Sequence, residues 1–275
     1  MITGTTEVFG CIAHPTSHVR APQLFNKVFA ERNLDKVMVP VDIPPEEVEA
    51  AISGLKALGN FTGAAVTIPH KLTLASHCDR LSPAARITGA VNAVRFTDEH
   101  QMVGDNFDGP GFVAGVLGEN PLGLETPRDH FCEKRILMLG AGGASRAIAA
   151  ALSKQDVAAL HILNRNQSRA DEVVSLVKEI APDMPIETVT GAALNKDSYD
   201  MVINATPLGL SASDPLPISL DGFAAHCLIC DIIMKPERTS WLADAELRGL
   251  KTHYGRHMLD YQLPLIAEFI GAYSD

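Results

Sequence analysis

The feature that most constrains the fold is a regular alternation of strand-length apolar runs with helix-period segments. Strand-length runs occur at EVFGCIA (7–13), KVMVPV (36–41) and GAAVTIP (63–69). The apolar residues between the first two runs follow a helical spacing: Leu24, Phe25, Val28 and Phe29. This order predicts an α/β fold with a mainly parallel sheet and helices on its faces.

The pattern changes twice along the chain and suggests two domains. Residues 90–105 contain two short strands close together, which we expect to form an antiparallel pair. Residues 118–134 are polar and rich in Pro and Gly, as in a connector, and a new strand-helix series runs from 135 to about 254. A length of 275 residues accommodates two cores.

Composition narrows the class of partner. The formal charge of -10, with no basic cluster, argues against nucleic acid and anionic membranes. The N-terminus lacks the pattern of a secretory signal, and no run approaches the ~20 apolar residues that span a bilayer. The five cysteines mostly lie in apolar surroundings, which favours reduced thiols and a cytoplasmic protein.

A glycine turn between a strand and a helix indicates a nucleotide site. RILMLGAGGASRAIAAAL (135–152) contains a buried strand, the glycines Gly140, Gly142 and Gly143, and an Ala-rich helix. Glycines allow close backbone approach, and the first helix amides attract a pyrophosphate. The alternative is a glycine-rich turn that binds nothing.

The next strand carries a signal for the coenzyme. ALHILNR (159–165) ends in Asn164 and Arg165, where NAD-binding folds normally carry an acidic residue, and Arg169 follows one turn later. Guanidinium groups pair with a 2′-phosphate, so we expect NADP in preference to NAD. The alternative places these arginines on a solvated helix face.

Two further strands complete this half of the chain. DMVINATPLG (200–209) leads to a loop with Thr206, which we expect to border the nicotinamide half of the coenzyme. HCLICDIIM (226–234) contains Cys227 and Cys230, which would point to opposite faces of a strand and could not chelate one metal. We therefore expect no metal site.

Candidate acid-base and polar residues lie in three segments of the first half. GAAVTIPHK ends in Lys71 and includes Thr67, TGAVNAV (88–94) includes Asn92, and GDNFDG (104–109) begins with Gly104 before Asp105. The alternatives without a catalytic role are that Lys71 is a surface lysine and that GDNFDG is a polar turn. The last segment is not an EF-hand loop, because Phe107 occupies a ligand position.

Taken in chain order, these motifs resemble the shikimate dehydrogenase family over nearly the whole chain. The resemblance rests on Val-Thr-x-Pro-x-Lys, Gly-Ala-Val-Asn, Gly-Asp-Asn-x-Asp-Gly, the glycine turn, Asn-Arg and Ile-Asn-Ala-Thr. It also includes GRHMLDYQ (255–262), which is similar to the family's Gly-x-x-Met-Leu-x-x-Gln.

The resemblance implies a two-domain α/β enzyme that reduces 3-dehydroshikimate reversibly to shikimate. Residues 1–104 and 255–275 would form the substrate-binding domain, and 105–254 the Rossmann-like NADP-binding domain. Lys71 and Asp105 correspond to the catalytic pair. Substrate binding is implied for Thr67, Asn92 and Gln262. Coenzyme binding is predicted for Gly140, Ala141, Gly142, Gly143, Ala144, Asn164, Arg165, Arg169, Thr206, Ile232, Gly255 and Met258.

The chain departs from the family in the loop HPTSHVRAPQLFN (14–26). It matches the family loop at Pro15, His18, Pro22 and Asn26. However, the two serines that hold the substrate carboxylate in the family fall on Val19 and Ala21, which donate no side-chain hydrogen bond. We expect Arg20 to make the anion contact, with Ser17 or His18 as weaker candidates. The alternative is that Arg20 points to solvent and the ligand is less polar.

Other departures also border the implied substrate site. They are Ala65, Phe107, Met234, Arg256 and His257. The substrate is therefore expected to be shikimate, quinate or another cyclic or short-chain hydroxy acid, bound by a monomer or homodimer. A non-catalytic NADP-binding sensor is the alternative from another class, and the Lys71–Asp105 pair argues against it.

Overall fold

The computed structural model describes residues 2–273, and the chain divides into two compact units. The first unit contains the chain up to Phe107 together with the segment from Leu263 onward, and the second unit contains Asp108–Gln262. The sequence predicted domain boundaries after residues 104 and 254, with substrate binding in one domain and coenzyme binding in the other. This division by ligand stays a prediction.

The first unit is built on a mixed six-stranded sheet. Its strands are β1 (Glu7–Ala13), β2 (Lys36–Asp42), β3 (Phe61–Val66), β4 (Arg80–Leu81), β5 (Ala93–Phe96) and β6 (Met102–Asp105), in the order β2-β1-β3-β5-β6-β4. The β1–β2, β1–β3 and β4–β6 pairs are parallel. The β3–β5 and β5–β6 pairs are antiparallel, so the predicted antiparallel pair in 90–105 is confirmed.

Helices cover both faces of this sheet because alternate strand residues point to opposite sides. The helices are α1 (Ala21–Glu31), α2 (Val48–Lys56), α3 (Lys71–His77) and α4 (Pro83–Thr88). Phe25 and Phe29 of α1 pack in one apolar cluster with Ala65 of β3. Ile52 of α2 packs in the cluster on the other face.

The second unit is built on an all-parallel six-stranded sheet. Its strands are β7 (Arg135–Leu139), β8 (Ala159–Leu163), β9 (Ile186–Thr188), β10 (Met201–Asn204), β11 (Leu228–Asp231) and β12 (Lys251–His253), in the order β12-β11-β10-β7-β8-β9. Its helices are α5 (Asp108–Glu119), α6 (Gly143–Leu152), α7 (Gln167–Ile180) and α8 (Ser240–Leu247). The order is that of a Rossmann fold, with its switch point between β7 and β10.

The last helix, α9 (Gly255–Phe269), crosses the boundary between the units. Its first residues, up to Gln262, belong to the second unit. Near its end, Ile266 and Ala267 join the apolar cluster of the first unit that contains Phe25. The predicted two-domain α/β fold is thus confirmed, and within residues 2–273 every helix is too short or too polar to span a bilayer.

The cysteines of the second unit lie in two different apolar clusters. Cys230 packs with the helices α6 and α7, whereas Cys227 packs with α8 on the opposite face of the sheet. Burial raises the pKa of the Cys227 thiol to about 12, so it is protonated at neutral pH. Among the described residues, no group of three or more His, Cys, Asp or Glu is arranged to hold a metal ion.

Candidate active site

The acid-base residues predicted in the first unit lie at or just beyond strand ends at one edge of its sheet. In the sheet, Ile12 lies beside Val66, and Ala93 lies beside both Ala65 and Asp105. The end of β1, the end of β3, the start of β5 and the end of β6 therefore meet at this edge. Asp105 is the last residue of β6, and the segments next to the ends of β3 and β5 carry Thr67, Lys71 and Asn92.

Backbone hydrogen bonds fix Thr67 and Lys71 at this edge. The amide of Thr67 donates to the carbonyl of Ile12 at 3.0 Å. Lys71 is half-buried as the first residue of α3, and its carbonyl accepts from the amide of Val91 at 2.9 Å. The next amide, that of Asn92, donates to the carbonyl of Asp105 at 3.0 Å. The backbone carbonyls of Lys71 and Asp105 thus accept hydrogen bonds from two consecutive amides, those of Val91 and Asn92.

The carboxylate of Asp105 is held by neighbouring donors. Its Oδ1 accepts from the amide of Asn106 at 2.7 Å and from the hydroxyl of Ser82. Ser82 also caps α4, since its Oγ accepts from the amide of Ala85 at 3.1 Å. Sequence analysis did not identify Ser82, because only the pairing of β4 with β6 brings it to Asp105.

Asn92 organises the loop after β6. Asn92 is 2% exposed, and its Oδ1 accepts from the amide of Phe107 at 2.8 Å. The ring of Phe107 lies 5.5 Å from the ring of Phe269, both in the first unit. Phe107 is therefore held by a hydrogen bond at its backbone amide and by an aromatic contact at its ring, and both fix the loop.

The loop after β1 is held at its start and flanked by apolar residues. Asp42 accepts from the ring of His14 at 2.7 Å and from the amide of Thr16 at 3.2 Å. Val19 and Ala21 pack against the same apolar cluster as Phe107.

Arg20, between Val19 and Ala21, is exposed and has helical backbone angles, φ −113° and ψ −18°. Its guanidinium makes no hydrogen bond or ion pair with other described residues, and Ser17 is also exposed. The side chain of His18 lies outside the described residues.

A separate cavity of about 710 Å³ lies at the carboxyl ends of β7, β8 and β10 in the second unit. Its lining includes predicted coenzyme residues Gly140, Ala141, Gly142, Asn164, Arg165, Arg169 and Thr206. Its size is that of a ligand site, and it lies beside the switch point of the sheet.

The glycine turn at this cavity leaves an anion site open. Gly140 has φ +106°, and a Cβ there would lie 2.9 Å from the carbonyl oxygen of Ala205, so only glycine fits. Gly142 precedes α6 without a side-chain cap, and Gly143 is exposed. The first amides of α6 are therefore available to a pyrophosphate. Ala144 is half-buried in this first turn.

The arginines give one end of the cavity a positive charge. Arg165 and Arg169 are exposed and make no ion pair within residues 2–273. No Asp or Glu of the described residues lines the cavity. The donor set therefore fits a coenzyme with a 2′-phosphate better than one with a free ribose hydroxyl.

Thr206 is positioned by a buried polar network. The Oδ1 of Asn204 accepts from the Thr206 hydroxyl at 2.6 Å, and its Nδ2 donates to Asp231 at 3.2 Å. Asp231 also accepts from the Thr239 hydroxyl at 2.8 Å. Burial raises the pKa of Asp231, although these hydrogen bonds act in the other direction.

Other predicted residues lie on the second unit's β11 loop and on α9. Gln262 is 5% exposed and Met258 6% exposed. A Cβ on Gly255 would lie 2.5 Å from the carbonyl carbon of Ile232, so the two backbones are in close contact. Met234 is 42% exposed. None of these residues lines the 710 Å³ cavity.

Sequence analysis missed part of the cavity lining. The missed residues include Gln167, Val189, Thr190, Gly191 and Pro217. The β-branched run of 188–190 before Gly191 was an available signal for a strand end at this edge. The strand β9 has only three residues, which is why its loop was not recognised.

Comparison with protein families gives two matches along the chain. Residues 11–94 match the shikimate dehydrogenase substrate binding domain, and residues 125–209 match shikimate / quinate 5-dehydrogenase. A curated relative, shikimate dehydrogenase (NADP(+)) of Rubrobacter xylanophilus, is 38% identical over 264 residues, covering 95% of this chain and 89% of the relative.

Solved structures share the fold across nearly the full length. One is shikimate 5-dehydrogenase from Listeria monocytogenes in complex with shikimate and NAD, with a TM-score of 0.85 and 28% identity, covering 98% of this chain and 93% of that one. Another is the ligand-free 5-ketofructose reductase of Gluconobacter sp. strain CHM43, with a TM-score of 0.80 and 27% identity, covering 97% and 93%.

Proposed function

The chain belongs to the shikimate dehydrogenase family, and from this premise we propose that it interconverts shikimate and 3-dehydroshikimate with NADP as coenzyme. The observation that carries this proposal is the gathering of Thr67, Lys71, Asn92 and Asp105 at one edge of the first sheet. An acid-base pair beside polar side chains suits the oxidation of a ring hydroxyl.

In this mechanism, the first unit binds the substrate and moves a proton. Lys71 accepts the proton of the reacting hydroxyl in oxidation and returns it to the carbonyl oxygen in reduction. Asp105 orients the ammonium group, while Ser82 and the amide of Asn106 hold the carboxylate in place. The coenzyme, when bound, supplies or accepts the hydride.

Polar side chains would orient the ring. We assign Thr67, Asn92 and Gln262 to hydrogen bonds with ring hydroxyls. We assign Arg20 to the substrate carboxylate, because it carries an unpaired guanidinium between two apolar residues of the loop after β1. A guanidinium can bind a carboxylate in bidentate fashion.

The second unit would hold the coenzyme. Glycines of the turn and the first amides of α6 would bind the pyrophosphate, and Arg165 and Arg169 the 2′-phosphate. Thr206, Ile232, Gly255 and Met258 are assigned to the nicotinamide half. The open helix amides and the positive end of the cavity support this assignment.

A second candidate is a dehydrogenase of the same fold with another hydroxylated substrate. The observation in its favour is the packing of Val19, Ala21 and Phe107 against one apolar cluster beside the proposed substrate loop. The likeness to 5-ketofructose reductase is consistent with a fold that accepts more than one substrate.

Steady-state kinetics with a substrate panel separates these candidates. The panel is shikimate, quinate and 5-ketofructose, each with the appropriate redox form of NADP. We expect the highest kcat/KM for shikimate. A higher kcat/KM with another compound would identify that compound, and not shikimate, as the preferred substrate. NADP binding without any turnover would favour the non-catalytic NADP-binding sensor.

Two expectations from sequence remain predictions. A cytoplasmic location is expected from the apolar surroundings of the cysteines. Burial raises the thiol pKa of four of them: Cys11, Cys78, Cys227 and Cys230. The oligomeric state, monomer or homodimer, is the other.

A further inference from the structure

The first turn of α9 is in close contact with two other elements of the second unit. On one side, Gly255 lies so near Ile232, in the loop after β11, that a Cβ would come within 2.5 Å of its carbonyl carbon. On the other side, a Cβ on Gly115 of α5 would lie 3.2 Å from the backbone of His257. The turn therefore has little room to shift without breaking backbone contacts.

Two side-chain contacts join the turn to the same two elements, an ion pair at Arg256 and a histidine–carboxylate contact at His257. Arg256 Nη1 lies 2.7 Å from Glu237 Oε1, in the loop after β11. His257 Nδ1 lies 3.4 Å from Glu119 Oε1, at the end of α5. The two pairs engage adjacent residues of the turn from different directions, so a displacement of the turn would stretch at least one of them.

The contact between His257 and Glu119 joins a buried ring to a partly exposed carboxylate. His257 is 8% exposed, and its ring centroid lies 5.0 Å from that of His253, which is 2% exposed. The His253 Nε2 has no hydrogen-bond partner within the described part of the chain. Tyr254 faces His257 at 6.5 Å, and Tyr261 donates to Glu119 at 3.1 Å. Glu119 is thus the acidic group that faces His257.

We propose that Arg256 and His257 are positioning residues for hydride transfer, because their side-chain contacts with Glu237 and Glu119 fix the first turn of α9. This inference rests on the proposed function, which assigns Gly255 and Met258 of this turn to the nicotinamide ring. Misplacement by a fraction of an ångström lowers the rate of an oriented reaction more than it lowers affinity. The expected signature is therefore a loss in kcat with little change in KM.

The test is a double-mutant cycle in the full-length protein. The variants are His257→Asn, Glu119→Gln and their combination, together with Arg256→Gln. We expect each single change to lower kcat by roughly three- to tenfold and to change the KM for NADP by less than about twofold. The double variant should resemble the single variants, because both remove one interaction.

A matched control is Arg128→Gln, which removes an ion pair of similar length, 2.8 Å, to Asp156 elsewhere in the second unit. It should leave kcat unchanged. Unchanged kcat in the α9 variants, or losses in the double variant that equal the product of the single losses, would overturn the proposal for His257 while leaving the proposed function intact.

Hydrogen exchange tests the ion pairs without any turnover. In the coenzyme-free protein, amide exchange in residues 256–259 should be faster in the His257→Asn and Arg256→Gln variants than in the wild type, and unchanged in Arg128→Gln. Equal exchange in all four proteins would contradict the proposal. An inactive wild type with faster exchange in the variants would instead contradict the proposed function alone.

Discussion

Lys71 is the single residue on which the proposed proton transfer depends. We predict that Lys71→Ala lowers kcat by about 10²–10⁴-fold, because no other acid-base group would be aligned with the reacting oxygen. NADP affinity, measured by titration, should change little because the cavity proposed for the coenzyme is lined by residues of the second unit. Lys27→Ala, an exposed lysine of α1, is the control. Near-normal turnover would remove Lys71 from the mechanism.

Arg165 is the residue that should distinguish the two coenzymes. Replacing it with Ala should weaken NADP binding by about 1.5–3 kcal/mol, the value of a hydrogen bond to a charged group, and NAD binding far less. Calorimetric titration of both coenzymes measures this difference. Lys178→Ala, on the helix α7 that follows Arg165 and outside the cavity lining, should affect neither. Equal losses for both coenzymes would defeat the assignment.

Arg20 tests how the substrate carboxylate is bound. Arg20→Met retains most of the side-chain length and removes the charge. The KM for shikimate should rise well over tenfold, consistent with about 1.5–3 kcal/mol for the lost contact. An unchanged KM would show that Arg20 is a bystander, and would favour a substrate without a carboxylate at that end.

At this scale, sequence reasoning identified residue types better than their surroundings. Lys71 follows the end of β3 and Asp105 ends β6, and both were therefore predictable candidates. Ser82 was not, since the contact depends on β4 pairing with β6 across more than twenty residues of chain. For Arg20, the backbone is helical, with ψ −18°, so its side chain does not alternate with those of Val19 and Ala21 as it would in an extended loop.

At the scale of elements, strands of four residues in 90–105 and longer apolar runs were recognised, and the three-residue strands were not. β1 has the same bounds as the run EVFGCIA, because every residue from 9 to 13 is buried. β9 has three residues and β12 three, too few for a periodicity to be visible. The cavity loop at 189–191 follows β9 and was missed with it.

His253 lies where β12 contacts α5, and we predict that it makes the free energy of unfolding depend on pH in the acid range. Burial, together with the neighbouring His257 and His130, lowers the pKa of His253 to about 3. The unfolded chain therefore binds a proton below the ordinary histidine pKa of about 6.5, whereas the folded chain does not. The free energy of unfolding should fall as the pH drops from about 6.5 toward 3, by up to about 1.4 kcal/mol per pH unit.

His253→Phe tests this contribution by urea denaturation at several pH values. The variant keeps an aromatic ring against Phe112, whose centroid lies 5.8 Å from that of His253, and should lose less stability on acidification. Phe112→Leu is the control: it removes ring packing and no titrating group, so its destabilisation should be similar at every pH. An unaltered pH slope in His253→Phe would contradict the pKa assignment.

At the scale of the whole molecule, the division into two α/β units followed from the order of the elements. The connector at 118–134 and the second strand-helix series indicated it. The point at which the chain changes unit was not visible in the sequence. It falls within α9, between Gln262 and Leu263, and the neighbouring Pro264 was not recognised as a signal for such a boundary.

The most direct test is the kcat/KM for shikimate oxidation by the purified full-length protein, with NADP+ and with NAD+ in parallel. We predict turnover of shikimate and at least about a tenfold preference for NADP+, as expected for Arg165 and Arg169, which form no ion pair with other described residues. No turnover of shikimate with either coenzyme, or equal efficiency with both, would contradict this prediction.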